Sequence, residues 1–124
     1  MDNNQRGCIA EYLFGVECLK MGYNVSMPLL DSSIYDCVVD NGDKLFKIQI
    51  KSTIKKPDNV NHSTIHIRLN NNKRPYNKED VDYFACYVDM FSGFFIVKNT
   101  GDMQSLRLSL NGKYKENFNN FVFE

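Results

Sequence analysis

Apolar and polar positions along this chain recur with two different periods, and the change of period divides it into elements. Over residues 4–21 the apolar residues return every three or four positions, with Ile9, Tyr12, Leu13, Val16 and Leu19 on one stripe. That spacing predicts an amphipathic helix, and Gly22 is placed to cap its end. Glu11 lies off the stripe, on a line with Gly7, Cys8, Gly15 and Cys18, small residues that let a helix approach another backbone closely. From Tyr23 the period falls to two. Residues 23–29 read as a short first strand, with Pro28 marking an edge or a strand end.

The clearest two-residue pattern lies between residues 31 and 53. Runs Ile34–Asp40 and Lys44–Lys51 flank Asn41-Gly42, the strongest short hairpin signal. A two-residue turn there would make paired positions sum to 83, setting Asp36 opposite Lys47 and Ile34 opposite Gln49. Asp36 and Gln49 are then expected as diagonal neighbours, about 7–8 Å apart. Alternation places Asp36, Lys47, Gln49 and Lys51 on one face, and Tyr35, Cys37, Val39, Phe46, Ile48 and Ile50 on the other.

Residues 54–62 form a polar loop containing Pro57. His62 to Leu69 alternates again, with Ser63, Ile65, Ile67 and Leu69 opposing Thr64, His66 and Arg68, and predicts a strand with one wet face. Asn70 to Lys78 is a basic, turn-rich loop. Two further strands are expected over residues 81–89 and 94–98, joined at Ser92-Gly93. Leu106, Leu108 and Leu110 alternate like another strand, and the tail from Gly112 has no assignment. A helix followed by several strands points to an α+β fold, with a mostly antiparallel or mixed sheet flanked by the N-terminal helix.

Length and composition narrow the class. The 124 residues suffice for a single domain, 1–124, with one modest core. At 43% hydrophobic residues the chain is not disordered. No apolar run approaches a membrane span, and no signal-peptide pattern opens the chain. Cys8, Cys18, Cys37 and Cys86 lack metal-type spacing and sit in apolar patterns, so they read as reduced core residues of a cytoplasmic protein.

The net charge is zero, but charge is not evenly spread. Nine basic residues between Lys44 and Lys78 face one acid, Asp58, a local balance of +8. A basic segment on a neutral chain is the footprint of phosphate contact. An acid, an amide and a lysine gathered opposite an apolar strand face add a second signal. That face is either a solvated surface or a metal-dependent phosphodiesterase centre.

The order helix glutamate (Glu11), strand aspartate (Asp36), then Gln49-Ile50-Lys51 on the next strand resembles the PD-(D/E)XK nuclease superfamily. The likeness covers about the first 55 residues closely, and residues 77–97 more loosely. The later stretch, preceded by Tyr76, resembles small endonucleases associated with group I introns, whose triplet also begins with glutamine. The opening Arg6-Gly7 through Glu11 is similar to that of Holliday junction resolvases. Gln49 departs from the superfamily pattern by replacing an acid, and Tyr35 stands where a proline precedes the aspartate.

The resemblance implies a Mg²⁺-dependent DNA endonuclease, most like an intron-associated homing endonuclease, prokaryotic or phage-encoded. A Holliday junction resolvase on the same core is the alternative, and an inactive DNA-binding module is a third reading. Mg²⁺, for which Mn²⁺ can substitute, favours oxygen ligands. Asp36 and Glu11 would supply carboxylates, Gln49 an amide oxygen and Ile50 its backbone carbonyl. Lys51 would orient the attacking water or stabilise charge on the phosphate. Lys55, Lys56, Arg68, Lys73 and Arg74 would hold the DNA backbone, and Asn70, Asn71, Asn72, Arg74 and Asn77 would reach base edges. One centre cuts one strand, so breaking both predicts a homo-oligomer, a dimer or a tetramer.

Overall fold

The N-terminal helix, α1, spans Asn3–Lys20 in the computed structural model, which describes residues 1–57, 64–70 and 74–124. Asp2 and Gln5 start it with a capping box. The Asp2 carboxylate accepts from the Gln5 amide at 2.8 Å, and the Gln5 side chain accepts from the Asp2 amide at 2.9 Å. Gly22 follows the helix with φ +84°. In that left-handed conformation the Gly22 and Tyr23 amides turn back to the Leu19 and Cys18 carbonyls.

Seven strands are described: β1 (Asn24–Ser26), β2 (Cys37–Asp40), β3 (Leu45–Thr53), β4 (Ile65–Arg68), β5 (Tyr83–Val88), β6 (Gly93–Lys98) and β7 (Ser105–Leu108). Five of them form a mixed sheet in the order β1-β2-β3-β5-β6, with β3 and β5 parallel and the other neighbours antiparallel. β4 and β7 pair separately as an antiparallel ribbon. The α+β expectation holds, and among the described residues no helix is long and apolar enough to cross a membrane.

Alternation along β3 explains the layering. Phe46, Ile48 and Ile50 are buried towards α1, together with Cys37 and Val39 from β2. On the opposite face, Phe84, Cys86 and Val88 pack under Ile65 and Ile67 of β4 and Leu106 and Leu108 of β7. His66 and Arg68 stay exposed, as the sequence pattern predicts.

The hairpin forms, but its register differs from the expected one. The pairs are Cys37↔Ile48, Val38↔Lys47, Val39↔Phe46 and Asp40↔Leu45, which sum to 85. The turn takes four residues because side chains organise it. Asn41 Oδ1 accepts the Asp43 and Lys44 amides at 2.9 and 2.8 Å, and Asp40 Oδ1 accepts the Gly42 amide at 2.8 Å. These local bonds outcompete a tight two-residue turn. A slip of two residues leaves the side chains of β2 and β3 on their expected faces, whereas Ile34, Tyr35 and Asp36, expected within the strand, lie in a bend before it.

The helix is rotated from its expected face. Ala10, Phe14 and Cys18 are its buried residues, on the side of the small residues Gly7 and Gly15. The expected stripe is exposed: Tyr12 is 68% accessible, Leu19 60% and Val16 47%. The reason lies at the other end of the chain, in the tail that has no assignment from sequence. Phe121 and Phe123 fold back beneath α1, and Phe14 meets Phe94, Phe121 and Phe123 at ring separations of 5.6, 5.9 and 6.3 Å. Burying one such ring contributes roughly 1.5–3 kcal/mol, so this pocket sets the rotation. Cys18, Cys37 and Cys86 are buried free thiols, whereas Cys8 is exposed, contrary to the core assignment.

Candidate active site

The antiparallel ladder between β2 and β3 stops at Cys37↔Ile48. One residue earlier the chain bends, and the Asp36 amide also donates to the Ile48 carbonyl, at 2.8 Å. The bend aims the Asp36 side chain along β3, where Oδ2 accepts the Ile50 amide at 2.6 Å. A backbone group that the ladder leaves without a strand partner is thus satisfied by a carboxylate. N–H and C=O of one strand residue point the same way, so the Ile50 carbonyl faces this opening as well.

Glu11 reaches the same place from the inward edge of α1. Its carboxyl lies beside that of Asp36, close enough for a proton to be shared between the two. Burial pushes the Glu11 pKa above the ordinary carboxylate range, and the charge of Asp36, the hydrogen bond with it and the charge of Asp31 push the same way. Burial also raises Asp36, opposed by the Ile50 amide, the Lys51 ammonium and the Glu11 bond. Two half-buried carboxylates in contact cannot both ionise freely unless a cation joins them.

Lys51 lies one residue beyond Ile50, half-buried and close enough to Asp36 to lower its pKa. Its Nζ is 3.4 Å from the Tyr76 hydroxyl and 5.3 Å from the centre of that ring. Gln49 is half-buried on the Lys51 face of β3, paired with Phe84. Lys47, further back on this face, donates instead to the Glu79 carbonyl.

The structure thus brings Glu11, Asp36, Ile50 and Lys51 together, with Gln49 beside them on the strand. Among the described residues there is no cluster of three or more His, Cys, Asp and Glu, in keeping with an amide at position 49. The donors are carboxylate, amide and carbonyl oxygens, a set that suits Mg²⁺ or Mn²⁺ and not a thiolate- or imidazole-seeking metal.

Lys55, Lys56, Arg68 and Arg74 are all exposed. The one ion pair among the described residues joins Lys20 to Glu17 at 3.4 Å, on α1. Asp58, His62, Asn71, Asn72 and Lys73 lie outside the described residues. Two neighbours have no role assigned from sequence: Asp31, which acts on Glu11, and Tyr76. Tyr76 is noticed in the sequence only as the residue before the stretch resembling intron-associated endonucleases, and Asp31 not at all, because both interactions are long-range.

A family model described as PD-(D/E)XK endonuclease matches residues 1–121. The bacterial homing endonuclease I-Ssp6803I is similar in structure, with a TM-score of 0.76 at 24% identity, covering 95% of this chain and 87% of that one. Hjc of Archaeoglobus fulgidus, a Holliday junction resolvase, aligns with a TM-score of 0.56 at 12% identity, covering 95% of this chain and 98% of the other. No curated protein matches the sequence.

Proposed function

The chain belongs to the PD-(D/E)XK endonuclease family, and from that membership we propose that it is a Mg²⁺-dependent DNA endonuclease that cuts duplex DNA in the manner of a homing enzyme. The observation that carries this reading is the Glu11–Asp36 carboxyl pair with Lys51 immediately beyond it on β3. A half-buried pair of that kind is a cost to a plain structural domain and an asset to a cation site.

Glu11, Asp36 and the Ile50 carbonyl would hold the cation, and Gln49 would add a neutral oxygen. When bound, the ion would polarise the scissile phosphate and lower the pKa of water beside it. The protein's own contribution is positional. Asp36 is fixed by the Ile50 amide, α1 delivers Glu11 through its close approach to the sheet, and Lys51 offers an ammonium to charge developing on the phosphate. Lys55, Lys56, Arg68, Lys73 and Arg74 would contribute affinity without sequence information. Asn70, Asn71, Asn72, Arg74 and Asn77 would supply the base contacts.

Cutting both strands requires two copies of this centre. The outward stripe of α1 supports self-association: Ile9, Tyr12, Leu13 and Val16 line an apolar groove of about 660 Å³ on the helix surface. An apolar face left uncovered on one chain is what a two-fold partner would bury.

The test is to offer one preparation a randomised duplex pool and an immobile four-way junction, each with Mg²⁺ and with EDTA. Enrichment of one cut duplex sequence, in Mg²⁺ only, is expected. Symmetric cutting of the junction with no duplex sequence enriched would assign the resolvase function instead. Binding without nicking in Mg²⁺ or Mn²⁺ would leave an inactive DNA-binding module.

A further inference from the structure

Lysine carries its charge on a flexible four-carbon stem, so a catalytic ammonium needs something to hold it. Tyr76 is the residue placed to do so. Its hydroxyl lies 3.4 Å from Lys51 Nζ and its ring centre 5.3 Å from it. One of the three ammonium hydrogens can therefore be donated to Oη, while the π-system attracts the remaining positive charge.

Tyr76 is itself immobilised from two sides. Its ring meets Phe84 edge-on at 5.6 Å, and Phe84 is the β5 partner of Gln49 in the same register that pairs Lys51 with Cys86. The phenol thus borders the proposed centre from the face opposite α1. Its backbone is held by Asn99, which is only 5% exposed. Asn99 Nδ2 donates to the carbonyls of Tyr76, Asn77 and Val81 at 3.1, 3.2 and 2.9 Å. Asn99 Oδ1 accepts the Gly101 amide at 2.9 Å, which fixes the orientation of that amide group.

We propose that Tyr76 is a positioning residue for Lys51: its hydroxyl accepts from the ammonium and holds it against the scissile phosphate, and buried Asn99 holds Tyr76. The inference rests on the nuclease reading for its consequence, though not for the contact itself. A tyrosine present only to fill the core would leave Lys51 indifferent to loss of the hydroxyl.

Tyr76→Phe separates the two roles, because it keeps the ring and its packing against Phe84 while removing the hydroxyl. The first measurement is ¹³C relaxation at the Lys51 Cε methylene in protein without metal or DNA. The wild-type methylene should be ordered, and that of Tyr76→Phe mobile on the nanosecond timescale, at an unchanged melting temperature. Equal mobility in the two proteins overturns the proposal. The second measurement is single-turnover cleavage in Mg²⁺ beside equilibrium DNA binding. Tyr76→Phe should lower the cleavage rate on the order of tenfold and leave the Kd unchanged. A matched loss of affinity or of thermal stability assigns Tyr76 a structural role and refutes positioning. If the relaxation difference appears while wild-type protein cuts no DNA, the contact stands and the nuclease function fails. Tyr76→Leu, which also removes the ring, should loosen Lys51 at least as much; a rigid Lys51 in that variant again counts against the proposal.

Discussion

Asp36 closes the open end of the β2–β3 ladder by accepting the Ile50 amide at 2.6 Å, so one side chain terminates the hairpin and founds the site. The two jobs respond differently to substitution. Asp36→Asn keeps an oxygen for the amide and loses the charge. It should fold normally and cleave slower by roughly 10²-fold or more, with DNA binding intact. Asp36→Ala also strands the Ile50 amide and should cost a further 1–3 kcal/mol or so of stability. Single-turnover nicking and thermal melts on both variants check this; near wild-type cleavage by Asp36→Asn removes Asp36 from the metal site.

The Glu11–Asp36 pair also predicts a pH-dependent response to metal. Both folded-state pKa values lie above the ordinary carboxylate value. The pair's contribution to stability is therefore fully present below that ordinary value, and is lost as pH rises through the raised values. Metal needs the ionised pair, so Mg²⁺ should raise the melting temperature more at pH 8 than at pH 4. At free Mg²⁺ one hundred times its Kd the gain is ~2.7 kcal/mol. Calorimetric scans with Mg²⁺ and with EDTA across this range measure it. Glu11→Gln should remove the Glu11 share of the EDTA-arm decline and shrink the Mg²⁺ shift, and an undiminished shift would place the ion elsewhere.

How far the sequence foretold the site depended on the range of the interactions. Strand alternation is local, so the face shared by Gln49 and Lys51 was legible, as was the order helix, hairpin, strands, whereas the bend at Asp36 was not. The hairpin register differs by two because Asn41 and Asp40 make side-chain bonds within the turn that the Asn-Gly signal does not reveal. The rotation of α1 was not legible because its apolar residues occupy both sides, and the choice between them is made by Phe121 and Phe123, about a hundred residues away. Glu11 lies on the half-buried side of α1, with the line of small residues. Tyr76 stands out in the sequence without a role, since its approach to Lys51 spans 25 positions.

The exposed basic residues should act on affinity alone. Replacing Lys55 and Lys56 together by glutamine should weaken binding to every duplex about equally. For every phosphate that the protein no longer neutralises, the slope of log affinity against log salt should become shallower by about 0.9. Binding isotherms at several salt concentrations give the slope, and an unchanged value means that the chain leaving β3 faces away from DNA.

Asn99 should be the costliest single polar residue on the β4–β7 side. Replacing it by alanine leaves the carbonyls of Tyr76, Asn77 and Val81 and the Gly101 amide without this partner. The loss should be about 3 kcal/mol, a fall in melting temperature on the order of 10 °C. Asn99→Asp should be at least as severe, because its carboxylate would face three carbonyl oxygens. A change below roughly 0.5 kcal/mol, typical of surface positions, would show that the loop holds its shape without Asn99.

The outer face of α1 offers a test of assembly separable from folding. Tyr12 and Val16 project away from the core, and Phe14 and Ala10, which hold the helix down, are on its other side. Tyr12→Glu with Val16→Glu should therefore leave the melting transition of the isolated chain nearly unchanged. Two added charges on an apolar two-fold interface would meet their own copies across the axis, where like charges repel in a poorly hydrated setting. Sedimentation velocity should show the wild type at twice or four times the 14.4 kDa chain mass and the variant shifted towards the monomer. Loss of coupling between centres should also change the products, from linear molecules to singly nicked circles on a supercoiled plasmid carrying the selected site. A variant that stays assembled and still linearises the plasmid would move the interface to another surface and leave the apolar stripe without this role.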